Sequence, residues 1–257
     1  MAIGTFEVKE GRPRSARQPR FNFSTWTELP PPPGKVQAAE SAGLPSVGIG
    51  ERGLALVALL AVSPFLALVA LAIKIDSPGG PVLFRQQRVG LDWRRRTAGD
   101  APGIDRRRTC GIGRPFRIYK FRTMIPNAER QTGPVWATER DPRITRLGHV
   151  LRKLRIDEIP QLINIVKGEM RLIGPRPERQ HFVSRLVIEI SDYAARQKVP
   201  PGITGLAQVK RHYDATLQDV RTKVKYDVYY VNNRSWILDL KIMIKTIEVM
   251  LWGRGSR

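Results

Sequence analysis

Residues Leu54 to Ile73 form a long apolar run with no charged side chain, marked at its centre by Ser63-Pro64. A straight helix over such a run is roughly 30 Å long, about the thickness of a bilayer core. The run is too long, and too far into the chain, for a secretory signal peptide. It is read as a membrane segment in preference to a buried core helix. Pro64 has no N–H to offer the Leu60 carbonyl, and its ring crowds that turn. Ser63 can satisfy backbone groups freed there. Two paths follow: a kinked spanning helix, or a sharply bent, re-entrant hairpin that enters and leaves on one face. Glu51-Arg52 precedes the run and Lys74 opens a very basic region after it. With no second apolar segment, the basic body is expected on the cytoplasmic side. Composition alone leaves the two paths open.

Charge narrows the partners. The 257 residues include 44 Lys+Arg against 23 Asp+Glu, a net charge of +21. Six basic and four acidic residues lie in the first 50, so residues 51–257 carry +19. An excess of this size points to a polyanion: nucleic acid, an anionic membrane face or phosphorylated substrates. Cys110 is the sole cysteine, so an intramolecular disulfide and a Cys-rich zinc site are excluded. A three-His metal site would need all of His149, His181 and His212.

Residues 1–50, with the run Pro30 to Pro33, read as a disordered Pro-rich tail. The membrane helix is assigned to 51–75 and the main domain to 76–257. Val82 to Phe84 and Phe116 to Tyr119 look like short strands. Between them the segment 91–112, with Arg94 to Arg96 and Arg106 to Arg108, reads as a long basic insertion. From Arg152 the chain is expected to be mostly helical. Ser235 to Trp252 looks like a closing amphipathic helix, capped by Ser235 and stopped by Gly253.

The stretch Arg155-Ile-Asp157-Glu158-Ile-Pro160-Gln161 carries the most chemistry. Pro160 fits a first helical turn, which would make Asp157 an N-cap and Glu158 the first helical residue. The same geometry suits catalysis: one carboxylate holds a divalent cation while the other attacks phosphorus. Around it lie Lys120 and Arg122, Arg143, Arg152 and Arg176, in Gly/Pro-marked turns and not on a periodic helix face. Arginine's fixed fork suits phosphate oxygens, so as a set they favour phosphate binding. Gly174-Pro175-Arg176-Pro177 must be extended, because a residue before proline avoids the α region. Pro201 to Gly205 is a second rigid turn.

In order along the chain, these segments resemble the monotopic phosphoglycosyl transferases, the bacterial sugar transferase family. The match runs from the Ser63-Pro64 segment through Pro81 to Gly90, Tyr119-Lys-Phe-Arg-Thr-Met124 and Asp141-Pro-Arg-Ile-Thr145. It continues through Asp157-Glu158-Ile-Pro-Gln161, Gly174-Pro-Arg-Pro177, Pro201 to Gln208 and Tyr226-Asp-Val-Tyr-Tyr230. It covers about residues 50–252. The resemblance implies an α+β, predominantly helical enzyme of the bacterial inner membrane. A re-entrant helix broken at Ser63 and Pro64 would anchor a cytoplasmic catalytic domain. Asp157 would attack the sugar-linked phosphorus of a UDP-sugar, releasing UMP and forming an aspartyl-phosphosugar intermediate. Polyprenyl (undecaprenyl) phosphate would then take the phosphosugar, initiating exopolysaccharide or glycoconjugate assembly. Glu158 matches the Mg²⁺-binding glutamate. Lys120, Arg122, Arg152, Pro175, Arg176 and Pro177 fall at substrate-binding positions, and membrane lipids are the remaining partner. The insertion 91–112 departs from the family pattern, and so does Lys210-Arg211 after Gln208-Val209. The rival reading is a membrane-tethered nucleic-acid-binding protein, which the charge and the Arg triplets would suit. The transferase reading has no nucleic-acid partner.

Overall fold

The computed structural model describes residues 47–91, 113–128, 141–210 and 217–251. The Pro-rich tail up to residue 46, the basic insertion beyond Leu91, Arg211, and the expected helix stop at Gly253 lie outside the described residues.

Helix α1 (Ile49–Asp76) is one helical segment of 28 residues, about 42 Å at the usual rise. The helix continues across Pro64. The Ser63 hydroxyl donates to the Leu60 carbonyl at 2.8 Å, supplying the hydrogen bond that Pro64 cannot. The middle of α1 is bare: Leu60 is 64% and Leu68 66% exposed. Its two ends are docked. At the N-terminal end Ala55 is buried with Phe116, Ile118, Ile165 and Met170. Arg52 Nε donates to the Val166 carbonyl at 2.8 Å. Glu51 accepts from Arg171 Nε and from the Leu172 backbone N–H, both at 2.8 Å. At the C-terminal end Val69 and Ile73 are buried with Phe121 and Leu151. Lys74 donates to the Gly80 carbonyl.

Strands β1 (Leu83–Val89) and β2 (Pro115–Phe121) pair antiparallel, with Phe84 opposite Lys120 and Arg88 opposite Phe116. Both are longer than the apolar cores the sequence marks: Arg85 to Val89 continue the ladder in β1, and Pro115, Lys120 and Phe121 extend it in β2. Helix α2 (Arg146–Lys153) follows, capped by the Thr145 hydroxyl, which accepts from the Gly148 N–H. A 3-10 helix, Ile156–Gln161, then leads into α3 (Leu162–Val166). The side chain of Asn164 joins this region to the free edge of β2. It donates to the Arg117 carbonyl at 2.7 Å and accepts from the Tyr119 N–H at 3.1 Å.

A second, parallel pair was not legible beforehand: β3 (Arg171–Ile173) lies beside β4 (Gly202–Thr204). Three-residue strands are too short to show alternation. Here the glycines carry meaning. A Cβ on Gly174 would meet the Pro200 carbonyl oxygen at 2.6 Å and the Gly202 nitrogen at 2.8 Å. The two rigid turns of the sequence are thus one close backbone contact. Helices α4 (Gln180–Glu189), α5 (Leu206–Lys210), α6 (Leu217–Asn233) and α7 (Trp236–Leu251) complete the body. A core of Val183, Leu186, Tyr193, Val220 and Val224 sits between α4 and α6. As expected, Ser235 caps α7, its hydroxyl accepting from the Leu238 N–H at 3.3 Å.

Candidate active site

The sequence left Asp157 as either a helix cap or a chemical group. Asp157 lies inside the 3-10 helix, and the residue at its start is Arg155, with no side-chain cap. The N-cap reading is therefore corrected. Pro160 cannot donate to the carbonyl four residues back, so the regular α ladder starts only after it. The tighter 3-10 turn places both carboxylates inward, and Asp157 and Glu158 are 7% and 6% exposed. Arg155 adopts a left-handed backbone, φ 55°, which is costly for a residue with a Cβ. That turn directs the chain from α2 into the dyad.

Lys120 follows Phe116 and Ile118 on the buried side of β2, at the end that meets the 3-10 helix. Its ammonium donates to Glu158 Oε1 at 2.6 Å and lies 3.9 Å from Asp157 Oδ2. Arg176, held out by the flanking prolines, donates to the same Glu158 oxygen at 2.7 Å and to Gln208 Oε1 at 3.1 Å. Arg155 Nη1 reaches Glu158 Oε2 at 3.5 Å. Arg152 donates from Nε to the Thr123 hydroxyl at 2.9 Å, and its charge also acts on Asp157. Pro175 and Pro177 are buried, and their carbonyls accept from the Gly202 N–H and from Arg88.

The two carboxylates are treated oppositely. Burial would raise the Glu158 carboxyl, but Arg176, Lys120 and Arg155 outweigh it and hold it well below the usual range. Burial dominates at Asp157 and, with the neighbouring Glu158 charge, raises its carboxyl against the pull of Lys120. Burial lowers Lys120 as well. Among the described residues, the ion-pair contact of the Asp157 carboxylate is the long one to Lys120. One carboxylate is clamped and anionic; the other is less engaged.

Arg122 is placed elsewhere. β2 ends at Phe121, and the buried Arg122 donates from Nη2 to the Ser77 carbonyl beneath Gly80, bracing the turn after α1. Arg143 pairs with Asp141 at 2.6 Å. Three groups at the site were not singled out from sequence. Arg155 adjoins the dyad, but its left-handed backbone has no signature in an arginine. Gln208 closes the Pro201 to Gln208 segment, which carried no role for it. Arg196 donates to the Arg176 carbonyl at 2.9 Å, from twenty residues away.

A model of the family described as bacterial sugar transferase matches residues 49–253. Over 203 residues the chain is 45% identical to a protein of Aeromonas hydrophila, covering 79% of this chain and 43% of that protein. That relative is named UDP-N-acetylgalactosamine-undecaprenyl-phosphate N-acetylgalactosaminephosphotransferase. This chain is 40% identical over 193 residues to UDP-glucose:undecaprenyl-phosphate glucose-1-phosphate transferase of Caulobacter vibrioides, covering 74% of this chain and 63% of the relative. Against these two, the chain spans less than two thirds of the relative's length. The exopolysaccharide production protein ExoY of Sinorhizobium fredii is 36% identical over 232 residues, which cover 82% of this chain and 90% of that protein. This chain belongs to the bacterial sugar transferase family.

Proposed function

We propose that this protein transfers a sugar-1-phosphate from a UDP-sugar to undecaprenyl phosphate, through a covalent intermediate on Asp157. The observation that carries this reading is the asymmetry of the dyad. A nucleophile needs lone pairs that fixed donors do not saturate, and Asp157 has them. Glu158 serves as the fixed anion that gathers Lys120, Arg176 and Arg155 around it. An Asp157 oxygen attacks the sugar-bearing phosphorus. The bond from that phosphorus to the bridging oxygen breaks, and UMP leaves with the electron pair. An oxygen of the acceptor phosphate then attacks the same phosphorus, and the pair returns to the Asp157 carboxylate. The surrounding cations stabilise charge on the transferring phosphoryl group throughout.

Mg²⁺ is part of the proposal. No group of three or more His, Cys, Asp or Glu side chains is assembled among the described residues. Mg²⁺ commonly takes one or two carboxylates and fills the rest of its shell with water and substrate phosphate, so the dyad fits it. Glu158 Oε2, engaged among the described residues only by the 3.5 Å contact to Arg155, is the oxygen that would hold it. When bound, the ion would neutralise charge on the donor diphosphate.

The proposed membrane path is re-entrant, in the bacterial inner membrane with the catalytic body on the cytoplasmic face. Both ends of α1 pack on one body while its apolar middle is bare, and a spanning helix would carry one end to the opposite face. Cysteine labelling in residues 1–46 tests this: labelling from outside intact cells would sink it.

The reaction is tested by UMP release from purified protein given Mg²⁺, undecaprenyl phosphate and a panel including UDP-glucose and UDP-N-acetylgalactosamine. UMP from one donor, lost in Asp157→Asn and on chelation, is the expected result. Equal UMP release from Asp157→Asn would refute the covalent route.

A further inference from the structure

Beside the dyad lies a half-open cleft of about 200 Å³ whose walls are almost wholly apolar. Ile159 and Leu162 form one side, Ile203 and Val209 another, and Val249 and Met250 of α7 a third. Glu158, Arg155 and Gln208 of the charged site also line it. The cleft thus adjoins the charged site and is bounded by the 3-10 helix, α3, β4, α5 and α7.

The two proposed substrates differ in what such walls can receive. The donor is polar along its whole length: base, ribose, diphosphate and sugar. Apolar walls offer it no hydrogen bonds, so burying it there would be unfavourable. The acceptor is an anionic phosphate on a long hydrocarbon chain, which matches a cation at the mouth and an apolar interior behind it. The far wall supports the same occupant. Thr246, Val249 and Met250 line the cleft at helical spacing, whereas Ile244 and Ile247 on α7 are 59% and 54% exposed. Trp236 and Ile237, at the start of α7, are also exposed. Such a helix suits the membrane interface, from which a lipid chain could enter. Arg171 joins the two membrane-suited helices, touching Glu51 of α1 at 2.8 Å and Asp239 of α7 at 3.9 Å.

We propose that this cleft receives the phosphate-proximal hydrocarbon of the polyprenyl phosphate acceptor, with Arg155 at its mouth facing the acceptor phosphate. The inference rests on the transfer reading and adds to it the seat of the second substrate. Arg155 stands 3.5 Å from Glu158, so an acceptor phosphate beside it lies next to the dyad. Its left-handed backbone, fixed at the start of the 3-10 helix, sets that position.

The test separates the two half-reactions. Exchange of labelled UMP into UDP-sugar needs only the donor and Asp157, whereas complete turnover needs the acceptor. Val249→Trp is made in the full chain and assayed with a C15 prenyl phosphate and with undecaprenyl phosphate. The KM for both acceptors should rise about tenfold, while the exchange rate stays within about twofold of the parent protein. Retained exchange also reports that the variant folds. Val249→Ala, which opens the wall, should raise the acceptor KM about threefold. An unchanged acceptor KM in Val249→Trp with exchange intact would overturn the inference. So would loss of exchange in that variant, which would place the cleft under the donor or the fold. Absence of exchange in the parent protein would instead remove the covalent transfer reading, and this inference with it.

Discussion

Two clusters of charge flank the extended segment Gly174 to Glu178, and they solve different problems. On one side Arg176 reaches Glu158, beside Lys120, Arg155 and Asp157. On the other, Glu178 pairs with Lys223 at 2.7 Å and with Arg88 at 3.7 Å. Next to that pair, Arg196 binds Asp227 at 2.7 Å, donates to the Tyr193 hydroxyl and holds the Arg176 carbonyl. In this second cluster Lys223, Arg196 and Asp227 are buried with their partners, and Glu178 is held at about 2 by those cations against the cost of burial. Such a network keeps a backbone where it is. The first cluster is arranged otherwise. Four cations, with Arg152, face two carboxylates, and one of those carboxylates is weakly engaged. A surplus of fixed positive charge beside an under-coordinated anion suits an incoming diphosphate. It would be wasteful in a purely structural network.

The sharpest way to break this contrast is Asp157→Asn. It should lower transfer by at least about a thousandfold. It should leave the melting temperature unchanged or higher, because burial disfavours the charge it removes. A marked loss of stability would make Asp157 a structural residue like Asp227. The counterpart in the other cluster is Arg196→Met, which strands buried Asp227. Breaking such a pair costs on the order of 3–5 kcal/mol, so denaturant unfolding should show a large destabilisation. Activity should fall only as far as Arg176 is misplaced.

Glu158→Gln sharpens the comparison through pH. The Glu158 carboxyl is depressed in the fold, so its ionised form stabilises the protein above the ordinary glutamate value, about 4.3. That contribution is lost as pH falls through the lowered folded value. The variant should therefore be less stable by about 2 kcal/mol at neutral pH, and the gap should close in acid. For Asp157 the sign reverses. UMP exchange should fall on the acid side with an apparent pKa above the ordinary aspartate value, about 3.9. An effect of similar size is expected at the extended segment between the clusters. Gly174→Ala places a methyl against backbone at Pro200 and Gly202, costing about 1–3 kcal/mol. The moved Arg176 should show itself as a raised donor KM, read against an unchanged Val249→Ala control for UMP exchange.

Much of the site was legible because its signals are local. A charge-free run of apolar residues, a carboxylate pair before a proline, and an arginine locked between prolines each act through neighbours in the chain. Where the structure adds to the sequence, the cause is also local. Asp157 has the form of a helix cap, and only the 3-10 geometry ahead of Pro160 turns it inward. Arg122 shares a motif with Lys120, yet the strand ends between them and their side chains go to different places. The pairing of β3 with β4 depends on glycines nearly thirty residues apart, which short strands do not advertise.

By itself, then, the sequence determined the membrane-suited helix, the identity of the acidic pair and the rigidity of the turn that presents Arg176. Each follows from backbone restriction or from burial of a contiguous surface. Tertiary structure decided which carboxylate is clamped and which is left weakly engaged. Lys120 lies 38 residues and Arg176 18 residues from Glu158, and Arg196 lies 31 from Asp227. Charge pairing over such separations has no periodicity to read. It exists only once burial has brought the partners together and made an unpaired charge costly.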